Sequence, residues 1–144
     1  MKAKEFVDNL DEARVVAAIA AAERKSSGEI RVYVSHRTRD DALEAAKARF
    51  NKLGMQKTRH RNGVLLYFAP MSRKFAVWGD KGVHEKCGEQ FWKDIAEQMV
   101  PLLKEGRFTE AVEQAVKEVG EVLASHFPPE PDDRNELPDS IIRD

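Results

Sequence analysis

A single cysteine, Cys87, stands in 144 residues, which excludes an intramolecular disulfide framework and any zinc site built from several thiolates. No run comes near the roughly 20 consecutive apolar residues that a membrane-spanning helix needs, so no membrane insertion is expected. Excess charge of one sign is also lacking. Acids and bases number 25 and 24, a balance that argues against a nucleic-acid partner held by net positive charge. The opening residues Met1-Lys2-Ala3-Lys4-Glu5 lead into acidic Asp8, Asp11 and Glu12 and lack the charge-then-hydrophobe order of an export signal. The cytoplasm is the expected compartment. There is no Walker-type glycine loop, no paired His-Glu zinc motif and no nucleophile elbow, so no familiar motif marks the chain as an enzyme.

What is present is organised around the stretch from Arg61 to Asp80. Val64 to Ala69 and Phe75 to Trp78 are apolar runs without polar alternation, rich in aromatic and β-branched residues, as expected for strands covered on both faces. Pro70 and Met71-Ser72-Arg73 separate them, and the pair reads as a β-hairpin. Upstream, Ile30, Val32 and Val34 alternate with Arg31, Tyr33 and Ser35. That pattern predicts a half-covered strand nearer the sheet edge than the hairpin. Between it and the hairpin, Leu43, Ala46, Phe50 and Leu53 line one face of a helix stopped by Gly54, with Asp40 and Asp41 at its start. A strand, a helix and a second strand predict a right-handed crossover and a parallel pair.

Three further helices are predicted: one over Phe6 to Ala22 with Asn9 or Asp11 capping its main body, one through Phe91 to Leu103, and one from Phe108 to Leu123 with Thr109 as cap. The fold expected is therefore α/β, a small mixed sheet of a central hairpin plus a parallel strand, flanked by helices on both faces. Residues 1–127 form one domain in this reading. The Pro-rich, acidic segment 128–144 forms a tail whose Leu137, Ile141 and Ile142 dock on it.

Gly28-Glu29-Ile30, Asp41-Ala42-Leu43, Leu53-Gly54-Met55, Arg61-Asn62-Gly63-Val64-Leu65-Leu66, Gly79-Asp80-Lys81-Gly82-Val83-His84 and Asn135-Glu136-Leu137-Pro138-Asp139 together resemble the TPM domain family, over nearly the whole chain. The resemblance implies a small mixed sheet flanked by helices. Relatives include a thylakoid lumen protein with acid phosphatase activity linked to photosystem II repair and a membrane-anchored modulator of acetylcholine receptors, and divalent metals are associated with the domain. This chain looks like the free-standing soluble branch, without export signal or anchor.

With strands one and two parallel and strand three antiparallel, one sheet edge gathers Glu29, Arg61, Asn62, Asp80, His84 and Glu85. Carboxylates and an amide suit a hard divalent cation, so Glu29, Asn62 and Asp80, with Glu136 of the tail, are the expected metal ligands, Ca²⁺ preferred over Zn²⁺ or Mg²⁺. In the plainer reading Asn62 and Asp80 are turn residues bonding their local backbone, or Arg61 already neutralises Glu29 or Asp80. The opposite edge offers Ser35, His36, Asp40 and Asp41 as a competing site. Three functions follow: a divalent-metal-dependent binding or regulatory module, a metal-dependent phosphatase, or a structural protein-interaction domain. For the phosphatase, metal-bound Asp80, His84 as proton donor and Arg61 as phosphate clamp supply the roles that phosphoryl transfer to water requires. The partner expected is a protein or a phosphate-bearing small molecule.

Overall fold

The computed structural model describes residues 1–130 and 140–143. The chain starts with α1 (Ala3–Asp8) and α2 (Glu12–Glu23), which the sequence periodicity merges into one helix. The break falls where Asp11 turns its side chain back to accept the Arg14 amide at 3.2 Å, capping α2. Strand β1 (Glu29–Val34) follows, then α3 (Ala42–Lys52), capped in the same way by Asp41 through the Glu44 amide at 3.1 Å. Gly54, in the left-handed region at φ 75°, ends it.

A short 3₁₀ turn (Met55–Lys57) leads to β2 (Gly63–Ala69), every residue of which is buried. A second 3₁₀ turn (Pro70–Ser72) reverses the chain into β3 (Lys74–Gly79). Helices α4 (Lys81–Cys87) and α5 (Glu89–Lys104) are separated by Gly88, and α6 (Phe108–His126) returns across the sheet. The Thr109 hydroxyl, expected as the α6 cap, instead accepts the Asp11 amide at 3.0 Å and ties α6 to the start of α2. A two-residue strand, β4 (Ile142–Arg143), completes the described chain.

Among the described residues the sheet runs β3-β2-β1-β4. β1 and β2 are parallel with Glu29 opposite Gly63, and β2 and β3 are antiparallel with Val64 opposite Gly79. The mixed sheet, its hairpin and its parallel strand are as the sequence predicts, but two placements differ. β1 is an inner strand, because β4 pairs with it at Tyr33 and Val34, and β3 forms the edge. The polar alternation in β1 misleads because Tyr33 is buried, stacked on Tyr67 at 5.5 Å with the Arg49 guanidinium 4.7 Å from its ring centre.

Helices cover both faces. Ile30, Val32, Val64, Leu66 and Val77 pack with Val15, Ile19, Ile95 and Val112 of α2, α5 and α6. On the other face Tyr33, Leu65, Tyr67 and Ala76 pack with Ala46 and Phe50 of α3. Truncating a fully buried residue such as Leu65 to alanine costs about 2–5 kcal/mol on this pattern, so both layers are needed. No helix of the described residues is long and apolar enough to cross a membrane.

Candidate functional site

The register brings Glu29, Gly63 and Asp80 into one row at the sheet end where β1 and β2 begin, since the Asp80 amide donates to the Gly63 carbonyl at 2.9 Å. Glu29, Asn62 and Asp80 are all buried, at 2 %, 0 % and 5 % exposure. Gly63 stands between Glu29 and Asp80, and the space where its side chain would project is taken by the Met55 carbonyl and the Phe50 ring. The edge therefore divides into two groups.

The first group is built on the loop before β2. Asn62 receives no freedom from its turn: its amide donates to the Thr58 hydroxyl at 3.3 Å and its carbonyl accepts the Glu29 amide at 3.3 Å. Its side-chain Nδ2 donates to the Ser27 hydroxyl at 3.2 Å. Its Oδ1 is buried and meets no hydrogen-bond donor among the described residues. Glu29, joined to Asn62 through that backbone bond, is buried too. Arg31, two residues along the same strand face, has its guanidinium pKa lowered by burial.

The second group is centred on Asp80. Arg61 grips it with both ends of the guanidinium fork, Nε to Oδ2 at 2.8 Å and Nη2 to Oδ1 at 2.9 Å. Oδ1 also accepts the Lys81 amide at 2.7 Å and so caps α4. The hydrogen bond to Asp80, with its charge, raises the Arg61 pKa further above its ordinary value. His84, one turn into α4, packs on Trp78 with ring centres 5.0 Å apart. Its Nδ1 accepts the Trp92 indole N–H at 3.1 Å, so the proton of the neutral ring stands on Nε2. Arg61, Asp80 and His84 thus line one cleft of about 440 Å³ with Lys47, Trp78 and Lys81. Lys47 lies over the Trp78 ring at 4.6 Å.

A profile of the TPM domain matches residues 2–122. The chain belongs to the TPM domain family. The TPM fold seen here is also similar to the NMR structure of BA42 protein from the psychrophilic bacterium Bizionia argentinensis sp. nov., at 34% sequence identity and a TM-score of 0.83, with 92% of each chain covered. No curated protein sequence matches the chain.

Within this TPM domain the other sequence candidates have structural duties. Asp41 caps α3, the Asp40 carbonyl accepts Lys74 Nζ at 2.7 Å, and the buried Ser35 hydroxyl accepts the Arg37 amide at 3.2 Å. Arg59 and His60 both meet the Glu130 carboxylate. Glu85 faces Lys81 at 4.0 Å. Glu136, named with the metal ligands, and the tail residue Leu137 lie outside the described residues. Sequence reasoning missed Ser27, Lys47, Thr58 and Lys81. The period-two pattern of Ala76 and Trp78 could have pointed to the face Lys47 shares, but the Ser27 and Thr58 hydroxyls bond Asn62 across gaps that no local pattern signals.

Proposed function

We propose that this TPM domain is a divalent-cation-dependent binding module, with Glu29 and Asn62 holding the ion and Ca²⁺ favoured over Mg²⁺ and Zn²⁺. The observation that carries the reading is Asn62 Oδ1, a buried acceptor without a donor among the described residues; Glu29, whose amide donates to the Asn62 carbonyl, is buried as well. Such an acceptor costs free energy unless something positive meets it. The donor set is oxygen only, which suits a hard cation, and Ca²⁺ tolerates an irregular cage that Mg²⁺ does not. Zn²⁺ would want nitrogen or sulfur, and the imidazole on this edge, His84, has Nδ1 engaged by Trp92. The sequence expectation adds Glu136, which lies outside the described residues, and Asp80, whose carboxylate Arg61 holds. The cleft that Arg61, Asp80 and Lys81 line is a separate feature of the same sheet end. The ligand that such a cleft suits is a phosphate-bearing small molecule or an acidic protein segment.

Thermal melts in Ca²⁺, Mg²⁺, Zn²⁺ and chelator test this. Ca²⁺ at about 100 times its Kd adds about 2.7 kcal/mol of stability by linkage, and the melting temperature rises accordingly. Glu29→Gln removes the rise, whereas Asn62→Asp keeps it. If no cation moves the melt of the unaltered chain at millimolar concentration, the reading fails.

The phosphatase reading keeps one supporting observation, that Arg61, Asp80 and His84 line the same cleft. Against it, both Asp80 oxygens are occupied by Arg61 and Lys81. Hydrolysis of p-nitrophenyl phosphate that His84→Gln and Arg61→Gln each abolish would put the enzyme first. A chain with neither cation response nor hydrolysis is left as an interaction domain.

A further inference from the structure

The other end of the sheet, where β2 finishes and β3 begins, holds a second cavity of about 470 Å³, lined by none of the candidate ligands Glu29, Asn62 and Asp80 nor by Arg61 or His84. Phe6, Phe68, Phe75 and Phe108, from four different elements, meet there. Phe6 lies 5.0 Å from Phe68 and 5.1 Å from Phe108, and Phe68 lies 4.6 Å from Phe75. Leu103 and Val100 of α5 close one wall, and Val100 is 43 % exposed, a large apolar side chain that the fold leaves in contact with water.

The rim is cationic. Arg73, Lys74 and Lys104 border the cavity, and no carboxylate lines it among the described residues. Lys74 is held in place by its bond to the Asp40 carbonyl at 2.7 Å, which fixes the ammonium without neutralising it. Arg73 sits at φ 53°, the left-handed residue that turns the chain into β3. Neither Arg73 nor Lys104 makes an ion pair among the described residues.

An aromatic floor under an uncompensated positive rim selects among ligands by elementary chemistry. A cation is repelled, a neutral hydrocarbon gains only burial, and an anion without a tail gains only the rim. A carboxylate on a hydrocarbon chain gains both, because charge-assisted hydrogen bonds to the rim add to burial of the tail. The size falls within the range of small-molecule pockets, and the position outside the carboxyl ends of the parallel strands is where open α/β sheets take ligands. We propose that this cavity binds a medium-chain fatty carboxylate, its tail on the four phenylalanines and its head at Arg73 and Lys104. The site is at the opposite end of the sheet from Glu29 and Asn62 and does not depend on cation binding there.

Titration calorimetry and amide NMR shifts with decanoate, kept below its micelle-forming concentration, and with decanol as the uncharged control, test the proposal on the full chain. Decanoate is expected to saturate one site, with shifts confined to the neighbourhoods of Phe6, Phe68, Phe75 and Phe108. The double variant Arg73→Gln, Lys104→Gln is expected to weaken decanoate about tenfold or more while leaving decanol unchanged. Val100→Trp, at an exposed helix position, is expected to block both without lowering the melting temperature. Three results overturn the proposal: no shift with decanoate at millimolar concentration, decanol bound as tightly as decanoate, or a dimer in sedimentation that Val100→Trp breaks, which would make this face a contact between copies.

Discussion

Arg61 has a positive φ of 50°, uncommon for a residue with a side chain, and this conformation accompanies a guanidinium that lies flat against Asp80. The pair is one-sided in its exposure. Asp80 is buried while the Arg61 side chain is about half exposed, so the arginine can leave and the aspartate cannot. Cys87 shows the same dependence of chemistry on surroundings. It is the last residue of α4, and burial pushes its thiol up. At pH 7 the thiolate fraction is therefore below that of a free cysteine, whose pKa is about 8.5. Alkylation by iodoacetamide, followed by mass spectrometry, is expected to run slower than with glutathione at pH 7 and to accelerate as the pH rises. A rate equal to glutathione at pH 7 would contradict the burial argument.

At the scale of elements, α4 decides whether the cleft exists. Its first turn is seated on the 60–61 loop: the Gly82 amide donates to the Arg61 carbonyl at 2.8 Å, and a β-carbon at Gly82 would stand 2.5 Å from the His60 carbonyl and 2.7 Å from that of Arg61. Both obstacles are backbone, so they cannot swing aside. Gly82→Ala is expected to cost about 1–3 kcal/mol through overpacking, a drop of several degrees in melting temperature. Glu85→Ala, on the same helix but exposed, is expected to stay within about 0.5 kcal/mol of the unaltered chain. Equal effects for the two would mean that the seat of α4 is not tight. Asp80→Asn tests the capping contribution separately, because asparagine still accepts the Lys81 amide although it loses the charge that Arg61 meets.

For the whole molecule, the sheet edge that β4 covers is short. β4 covers β1 only at Tyr33 and Val34, and its partners come from residues far apart in the chain. Deleting residues 140–144 uncovers that side of β1 and leaves backbone groups without partners. Hydrogen exchange is expected to quicken at the end of β1 while the β2 and β3 amides hold their protection. Unchanged exchange there would show that β4 adds nothing to the sheet.

Local chemistry was legible without the fold. Two-sided apolarity marked β2, helical spacing marked α3, α5 and α6, and the polar residues at helix starts narrowed the caps to Asn9 or Asp11 and to Asp40 or Asp41, of which the fold uses Asp11 and Asp41. Parallel and antiparallel strand directions, read from connection lengths, also placed Glu29, Arg61, Asn62 and Asp80 at one edge. Each of those inferences depends on residues within a few positions of one another or on chain connectivity. What only tertiary structure decided is which partner each side chain takes. Arg61 chose Asp80 over Glu29, His84 took the Trp92 indole, and four phenylalanines between positions 6 and 108 met in one cavity. Such pairings turn on register and on how helices lie across the sheet, and a difference of an ångström or two decides between a hydrogen bond and none. Sequence spacing does not contain distances of that kind; the packing of both helical layers against the sheet sets them.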